Sequence, residues 1–184
     1  MKQLALVLAL AGTCVLGSTL AATPASALET YEAKMAASDA ASQARMDMLD
    51  AFGPKMLKPG QFVWRDVPPS AGSQRVVISL SDQMAYLYRG DTLMAAATIS
   101  TGRDDKPTPT GIFSVLNKTV MHHSNKYDDA PMPFAQFFES HGIAMHAGYN
   151  PGHPASHGCV RLPAAFAKKL YSVTDIGTPV MIGA

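Results

Sequence analysis

Between residues 146 and 162 the chain reads His146-Ala147-Gly148-Tyr149-Asn150-Pro151-Gly152-His153-Pro154-Ala155-Ser156-His157-Gly158-Cys159-Val160-Arg161-Leu162. A cysteine is a nucleophile as its thiolate, and an adjacent imidazole can take the thiol proton. His146 precedes Cys159 by thirteen residues. The Gly- and Pro-rich stretch between them can fold back and bring the two together. Gly158 lets the backbone approach a substrate closely, and the amides around Gly158 and Cys159 can hold the oxyanion of a tetrahedral intermediate. Arg161 can grip a substrate carboxylate through two parallel hydrogen bonds.

Plainer readings stand beside these. A lone cysteine is usually a small buried hydrophobe. His146 could be a satisfied core histidine, and Arg161 half of a surface ion pair. His157 is nearer to Cys159 and is the alternative base. With one residue between them in an extended segment, however, the two side chains point the same way with little freedom to pair. His146, His153, His157 and Cys159 could in principle ligate zinc. Their spacing matches no helical ligand pair and the segment holds no acid as general base, so no metal site is assigned. The adjacent His122 and His123 would face opposite sides of a strand. They read as loop or groove residues rather than as a ligand pair.

The start of the chain sharpens the cysteine question. Lys2 is the only charge before Glu29, an apolar stretch runs from Leu4 to Ala22, and Ala25-x-Ala27 is a small-residue exit. Together these read as a secretory signal peptide over 1–27, and the protein is expected to be exported to the periplasm or cell envelope. An uncleaved anchor is the alternative, although Gly12, Thr13, Gly17, Ser18 and Thr19 dilute the stretch. That anchor would be the only membrane contact. A lipoprotein reading at Cys14 is poor, because Thr13 directly precedes it. Cleavage removes Cys14 and leaves Cys159 without an internal disulfide partner. A free thiol in an oxidising compartment is either buried and inert, or kept because its reactivity is used.

The whole chain has 184 residues, a size suited to one domain of ordinary dimensions. Its 15 Lys and Arg against 14 Asp and Glu fall to 14 against 14 once Lys2 is gone. That balance argues against a nucleic-acid partner gripped by a basic face, and against a charged disordered chain. Residues 28–52 lack Gly and Pro and predict a helix closed by Gly53-Pro54, with Met35, Met46, Leu49 and Phe52 loosely on one face. Residues 58–72 are Pro- and Gly-rich and read as a linker. The segment 28–73 is thus expected to be a partly helical spacer before a domain at 74–184.

Short apolar runs with turn signals predict strands at 75–80, 84–88, 93–100, 112–116, 142–146 and 178–182. Residues 163–173 predict a helix, and 118–141 an irregular stretch. The fold class is mainly β, a single sandwich or barrel-like domain with one or two short helices.

The run from Ser156 to Leu162, with His146 upstream, resembles the L,D-transpeptidase catalytic domain (YkuD-type, also called ErfK/YbiS/YcfS/YnhG). Gln83 to Tyr88 followed by Gly90, Ser100-Thr101-Gly102, Thr108 to Gly111, Met132-Pro133 and Gly177 to Val180 add to the likeness, which covers about Gln74 to Ile182. The resemblance implies a mostly β domain acting on peptidoglycan stem peptides in the envelope. It implies Cys159 as nucleophile and His146 as general base and acid, oriented by a backbone carbonyl near Ala147 or Gly148. Arg161, Ser156 and His157 would shape the substrate site, and His123, Ser124, Asn125, Tyr127 and Met132 would line the donor groove or a lid. Such enzymes need no metal or cofactor, their thiol is acylated by carbapenem β-lactams, and some relatives use a protein amine as acceptor. A sortase-like thiol transpeptidase shares the order His, Cys, Arg, but there Arg falls well after Cys. An idle wall-binding module is the non-enzymatic alternative, and an NlpC/P60-type amidase has Cys before His.

Overall fold

The computed structural model describes residues 27–184. The signal peptide expected over 1–27 therefore lies, but for its last residue, outside the described residues. In chain order the elements are α1 (Tyr31–Phe52), β1 (Phe62–Trp64), β2 (Gln74–Ser79), β3 (Met84–Arg89), β4 (Thr92–Thr98), β5 (Gly111–Ser114), β6 (Asn117–His123), β7 (Pro131–Phe137), β8 (Ala144–Ala147), β9 (Val160–Leu162), α2 (Ala164–Val173) and β10 (Pro179–Gly183). Among the described residues the fold is mainly β, with two sheets and two α-helices.

One sheet has six strands in the order β1-β4-β3-β2-β10-β5, antiparallel except for the parallel pair β2 and β10. The other has four, β6-β7-β8-β9, with β8 and β9 parallel. The main core lies between the sheets. Val76, Ile78, Ala85, Leu87 and Ile182 of the larger sheet meet Met145, Val160 and Leu162 of the smaller one, with Phe166 and Leu170 of α2.

The opposite face of the six-stranded sheet is covered too. Val77, Tyr86, Tyr88 and Ala96 pack under α1 against Ala41, Ala44 and Met48. That two-sided burial is why β2 and β3 read as unbroken apolar runs instead of alternating. It also changes the reading of 28–73 as a spacer, since α1 packs as a layer on the sheet. The buried face of α1 is a stripe of small residues, Ala33, Ala37, Ala41 and Ala44, ending at Met48. Met35, Met46 and Leu49, the stripe expected from size, are exposed. Thr30 caps the start, its Oγ1 accepting from the Ala33 N–H at 3.2 Å, and Gly53 ends the helix with φ +76°.

Two further expectations change. The stretch 118–141, expected to be irregular, forms the hairpin β6–β7. β6 is an exposed edge with no apolar alternation to announce it. Pro131 and Pro133 disguise β7, and they lie where β8 no longer pairs with it. The expected linker at 58–72 contains β1, which pairs with β4 at the far edge of the large sheet.

Candidate active site

The site is built at the seam between two short parallel strands. The register pairs Met145 with Val160, His146 with Arg161 and Ala147 with Leu162. Cys159 immediately precedes β9 and so arrives beside Ala144. His146, Cys159 and Arg161 all line one groove of about 730 Å³.

His146 is buried, and its Nδ1 lies 2.8 Å from the carbonyl oxygen of Ala147. A carbonyl only accepts, so Nδ1 carries the hydrogen and donates it. Nε2 is then the ring atom with a free lone pair. Burial pushes the His146 pKa below the ordinary histidine value, and the Ala147 bond partly opposes this; the charges of Arg161 and His122 add to the lowering. The imidazole is therefore neutral at neutral pH.

Burial pushes the Cys159 thiol up, while the Ala144 backbone N–H and the Arg161 charge favour the thiolate and partly offset it. The resting pair is a neutral thiol and a neutral imidazole. Cys159 also packs on the small cluster of Met132, Ala135 and Ala144.

The turn carrying Cys159 is pinned by Ser156 and Thr108. Ser156 is buried; its Oγ accepts the Gly158 N–H at 3.1 Å and donates to the Cys159 carbonyl at 2.5 Å. Thr108 donates to the Gly158 carbonyl at 2.8 Å. Gly158 has φ +114°, a conformation that L side chains avoid. This corrects the expectation that both the Gly158 and the Cys159 amides serve an oxyanion. The Gly158 N–H is spent on Ser156, and the Cys159 amide remains the candidate of the two.

Arg161 has no carboxylate partner among the described residues, whose ion pairs join other groups. Its guanidinium stands in the groove as an unpaired cation. His157 turns toward the β6–β7 hairpin, where its ring stacks on Tyr127 at 4.2 Å between centroids and 13° between planes. It is engaged there and not as a base. The four residues weighed as zinc ligands are not gathered, and no cluster of three such groups occurs among the described residues.

The hairpin tip forms one wall. Ser124, Asn125, Tyr127 and Met132 line the groove. His123 does not. Its Nδ1 lies 3.0 Å from the Asp129 carbonyl and 3.2 Å from the Asp129 carboxylate, outside the groove. His122 lines the groove instead, packed edge-on against Phe137 at 5.1 Å. Strand alternation between adjacent histidines was the available signal, but it needed β6 to be recognised as a strand. Lys126 was also missed. It lines the groove and its Nζ donates to the His141 carbonyl at 2.7 Å.

A thiol, an imidazole with an open Nε2, a candidate amide donor and an unpaired guanidinium in one groove can carry out acyl transfer through a thioester. The family model of the L,D-transpeptidase catalytic domain matches residues 73–182. Among solved structures, the chain is similar to an L,D-transpeptidase from Mycobacterium smegmatis, at 20% identity and a TM-score of 0.56, over 61% of this chain and 59% of that one. It is similar to residues 123–326 of the L,D-transpeptidase from Xylanimonas cellulosilytica, at 25% identity and a TM-score of 0.57, over 79% and 76% of the two chains. It is also similar to L,D-transpeptidase 3 from Mycobacterium tuberculosis in complex with a faropenem-derived adduct, at 23% identity and a TM-score of 0.56, over 61% and 60%. The chain thus spans a little under two thirds of these mycobacterial structures. No curated protein matches it. With that family match covering more than half of its length, the chain belongs to the family of L,D-transpeptidase catalytic domains.

Proposed function

We propose that this protein is a peptidoglycan L,D-transpeptidase of the cell envelope, a cysteine acyltransferase working through a thioester on Cys159. The observation that carries the reading is the Ala147 carbonyl holding His146 Nδ1–H, which leaves Nε2 as a proton acceptor in the groove of Cys159. The donor is a tetrapeptide stem whose third residue is diaminopimelate. His146 Nε2 takes the thiol proton as Sγ attacks the carbonyl that joins diaminopimelate to the terminal D-alanine. The Cys159 amide faces the developing oxyanion. The imidazolium then protonates the leaving nitrogen, D-alanine departs, and a thioester remains. An acceptor amine attacks the thioester and gives its proton to His146. The intermediate collapses, the thiolate leaves and recovers that proton, and the new amide is a 3→3 cross-link. Arg161 binds a stem carboxylate. Every step uses protein groups alone, with no cofactor.

Water, a free D-amino acid or the amine of an outer-membrane protein in place of the stem amine would give hydrolysis, exchange or protein attachment from the same acyl-enzyme. The test is incubation of the purified protein with disaccharide-tetrapeptide, followed by muropeptide analysis and intact-protein mass. D-Alanine release with cross-linked dimer, a carbapenem adduct on one thiol, and loss of all three in Cys159→Ala are expected. Retained turnover in Cys159→Ala would overturn the proposal.

A further inference from the structure

The groove wall that follows His146 is held at two ends by different parts of the chain. Its later half is fastened within the family domain. Ser100 Oγ donates to the His153 carbonyl at 2.7 Å, and the Ala155 and Ser156 amides bond the Thr101 carbonyl at 2.9 and 3.0 Å. Its earlier half, from Gly148 to Gly152, meets Lys58–Gln61, which lies outside the matched region 73–182.

That meeting is organised around one buried hydroxyl. Thr98 Oγ1 accepts from Asn150 Nδ2 at 3.2 Å and from the Gly60 N–H at 3.0 Å. Its own proton faces the Lys58 and Gln61 carbonyls at 3.3 and 3.2 Å. The Thr98 N–H bonds the Gln61 carbonyl at 3.1 Å. Lys58–Gln61 is itself closed into a turn, with the Gln61 N–H on the Lys58 carbonyl and the Lys58 N–H on Gln61 Oε1. Asn150 Oδ1 accepts the Gly152 N–H at 2.9 Å, so one side chain both shapes its own turn and ties it to Thr98. Gly152 then lies so close to Pro59 that a Cβ would sit 2.5 Å from the proline ring, and its φ is +87°. Gly148 and Tyr149, just before Asn150, line the catalytic groove.

We propose that the Lys58–Gln61 turn, clasped through Thr98 to Asn150 and Gly152, positions the groove wall that follows His146. Thr98, Asn150 and Pro59 are positioning residues; none touches the reacting atoms. For turnover the proposal rests on the transpeptidase reading above. A small misplacement of a substrate-bearing wall reaches the rate without altering the nucleophile.

The experiment compares Thr98→Val, Thr98→Ser, Asn150→Ala and Thr98→Val/Asn150→Ala in the full chain. D-Alanine release is measured as kcat and KM, and iodoacetamide alkylation of Cys159 as a function of pH. Thr98→Val and Asn150→Ala are each expected to lower kcat about tenfold with KM changed by less than about twofold. The double variant should lose no more than either single one, because both cut the same link. Thr98→Ser keeps the hydroxyl and should restore kcat to within about twofold. A loosened wall admits water, so the alkylation midpoint should move down in Thr98→Val and return in Thr98→Ser. Lower melting temperature with unchanged kcat and midpoint, or losses that multiply in the double variant, would overturn the clasp. Alkylation needs no stem peptide, so the clasp is read from its midpoint even where the wild type releases no D-alanine, a result that sinks only the transpeptidase reading.

Discussion

Replacing Ser156 by alanine removes one oxygen and two hydrogen bonds in the turn that presents Cys159. The hydroxyl accepts the Gly158 N–H at 3.1 Å and donates to the Cys159 carbonyl at 2.5 Å, and the side chain is 1% exposed. Each buried bond contributes about 1 kcal/mol net, and an orphaned buried backbone group costs about 1–3 kcal/mol. Gly158 and Cys159 are both left short, so a total loss of about 2–3 kcal/mol is expected. For a body of this length that lowers the melting temperature by roughly 5–10 °C. The catalytic effect is separate. The Cys159 carbonyl is no longer pinned, and the turn can relax around a glycine whose φ of +114° the fold imposes. A drop in kcat of about tenfold or more is expected, since loss of reactive geometry is felt steeply in rate. The freed Gly158 N–H does not compensate, because no residue then sets its direction. Scanning calorimetry and single-turnover acylation by a carbapenem, followed by intact mass, test both parts. A melting temperature within about 2 °C of wild type, with an unchanged acylation rate, would refute the role given to Ser156.

The placement of the histidines and of Cys159 sets the pH behaviour and the effect of groove substitutions. With the His146 pKa held down by burial, the acid limb of kcat/KM should lie below the ordinary histidine value of about 6.5. The unfolded chain binds the His146 proton more readily, so this group's contribution to stability is present above about pH 6.5 and is lost as the pH falls through the folded value. Cys159 acts with the opposite sign: its contribution is present below the ordinary thiol value of about 8.5 and is lost as the pH rises. Melting temperature against pH, with His146→Gln flattening the acid side and Cys159→Ser the alkaline side, checks both signs. His122→Gln should lower kcat/KM about fivefold or more, because His122 lines the groove, whereas His123→Gln, with its ring on Asp129, should leave it within about twofold. Equal effects of the two substitutions in steady-state assays would contradict the strand register.

Legibility in the sequence tracked burial and chemical distinctiveness. β2, β3, β4, β5, β10 and α2 lie on the core, so their apolar runs and intervening turns were visible. β6 faces solvent and carries Lys118, Thr119, His122 and His123, so no periodicity marks it, and β7 hides behind two prolines. α1 was visible as a helix, but its contact face was not, because the sheet accepts alanines at close range and leaves the larger Met35 and Met46 outside. Cys159 and His146 could be found by residue type and spacing. His122 and Lys126 reach the groove only because a hairpin folds over it, a long-range event that no local pattern encodes.

The burial of His146 and the raised pKa of Cys159 bear on the fate of an exported thiol. A single thiol expected in an oxidising compartment is exposed to irreversible oxidation in proportion to its thiolate content. Burial raises the Cys159 pKa and lowers that of His146, so the resting site holds a neutral thiol beside a neutral base. At neutral pH both shifts favour the uncharged forms. Tyr127 and His157 stack on each other in the wall of the same groove. On the proposed acyl-transfer reading, the proton moves when a carbonyl occupies the groove, because the thiolate is then consumed as it forms. A standing thiolate–imidazolium pair would react faster with any electrophile. A neutral pair gives up that speed and keeps the thiol for the ligand that the groove can hold. On this view the buried histidine and the raised thiol are one device, and the depressed acid limb and the slow alkylation of Cys159 at neutral pH are two readings of it.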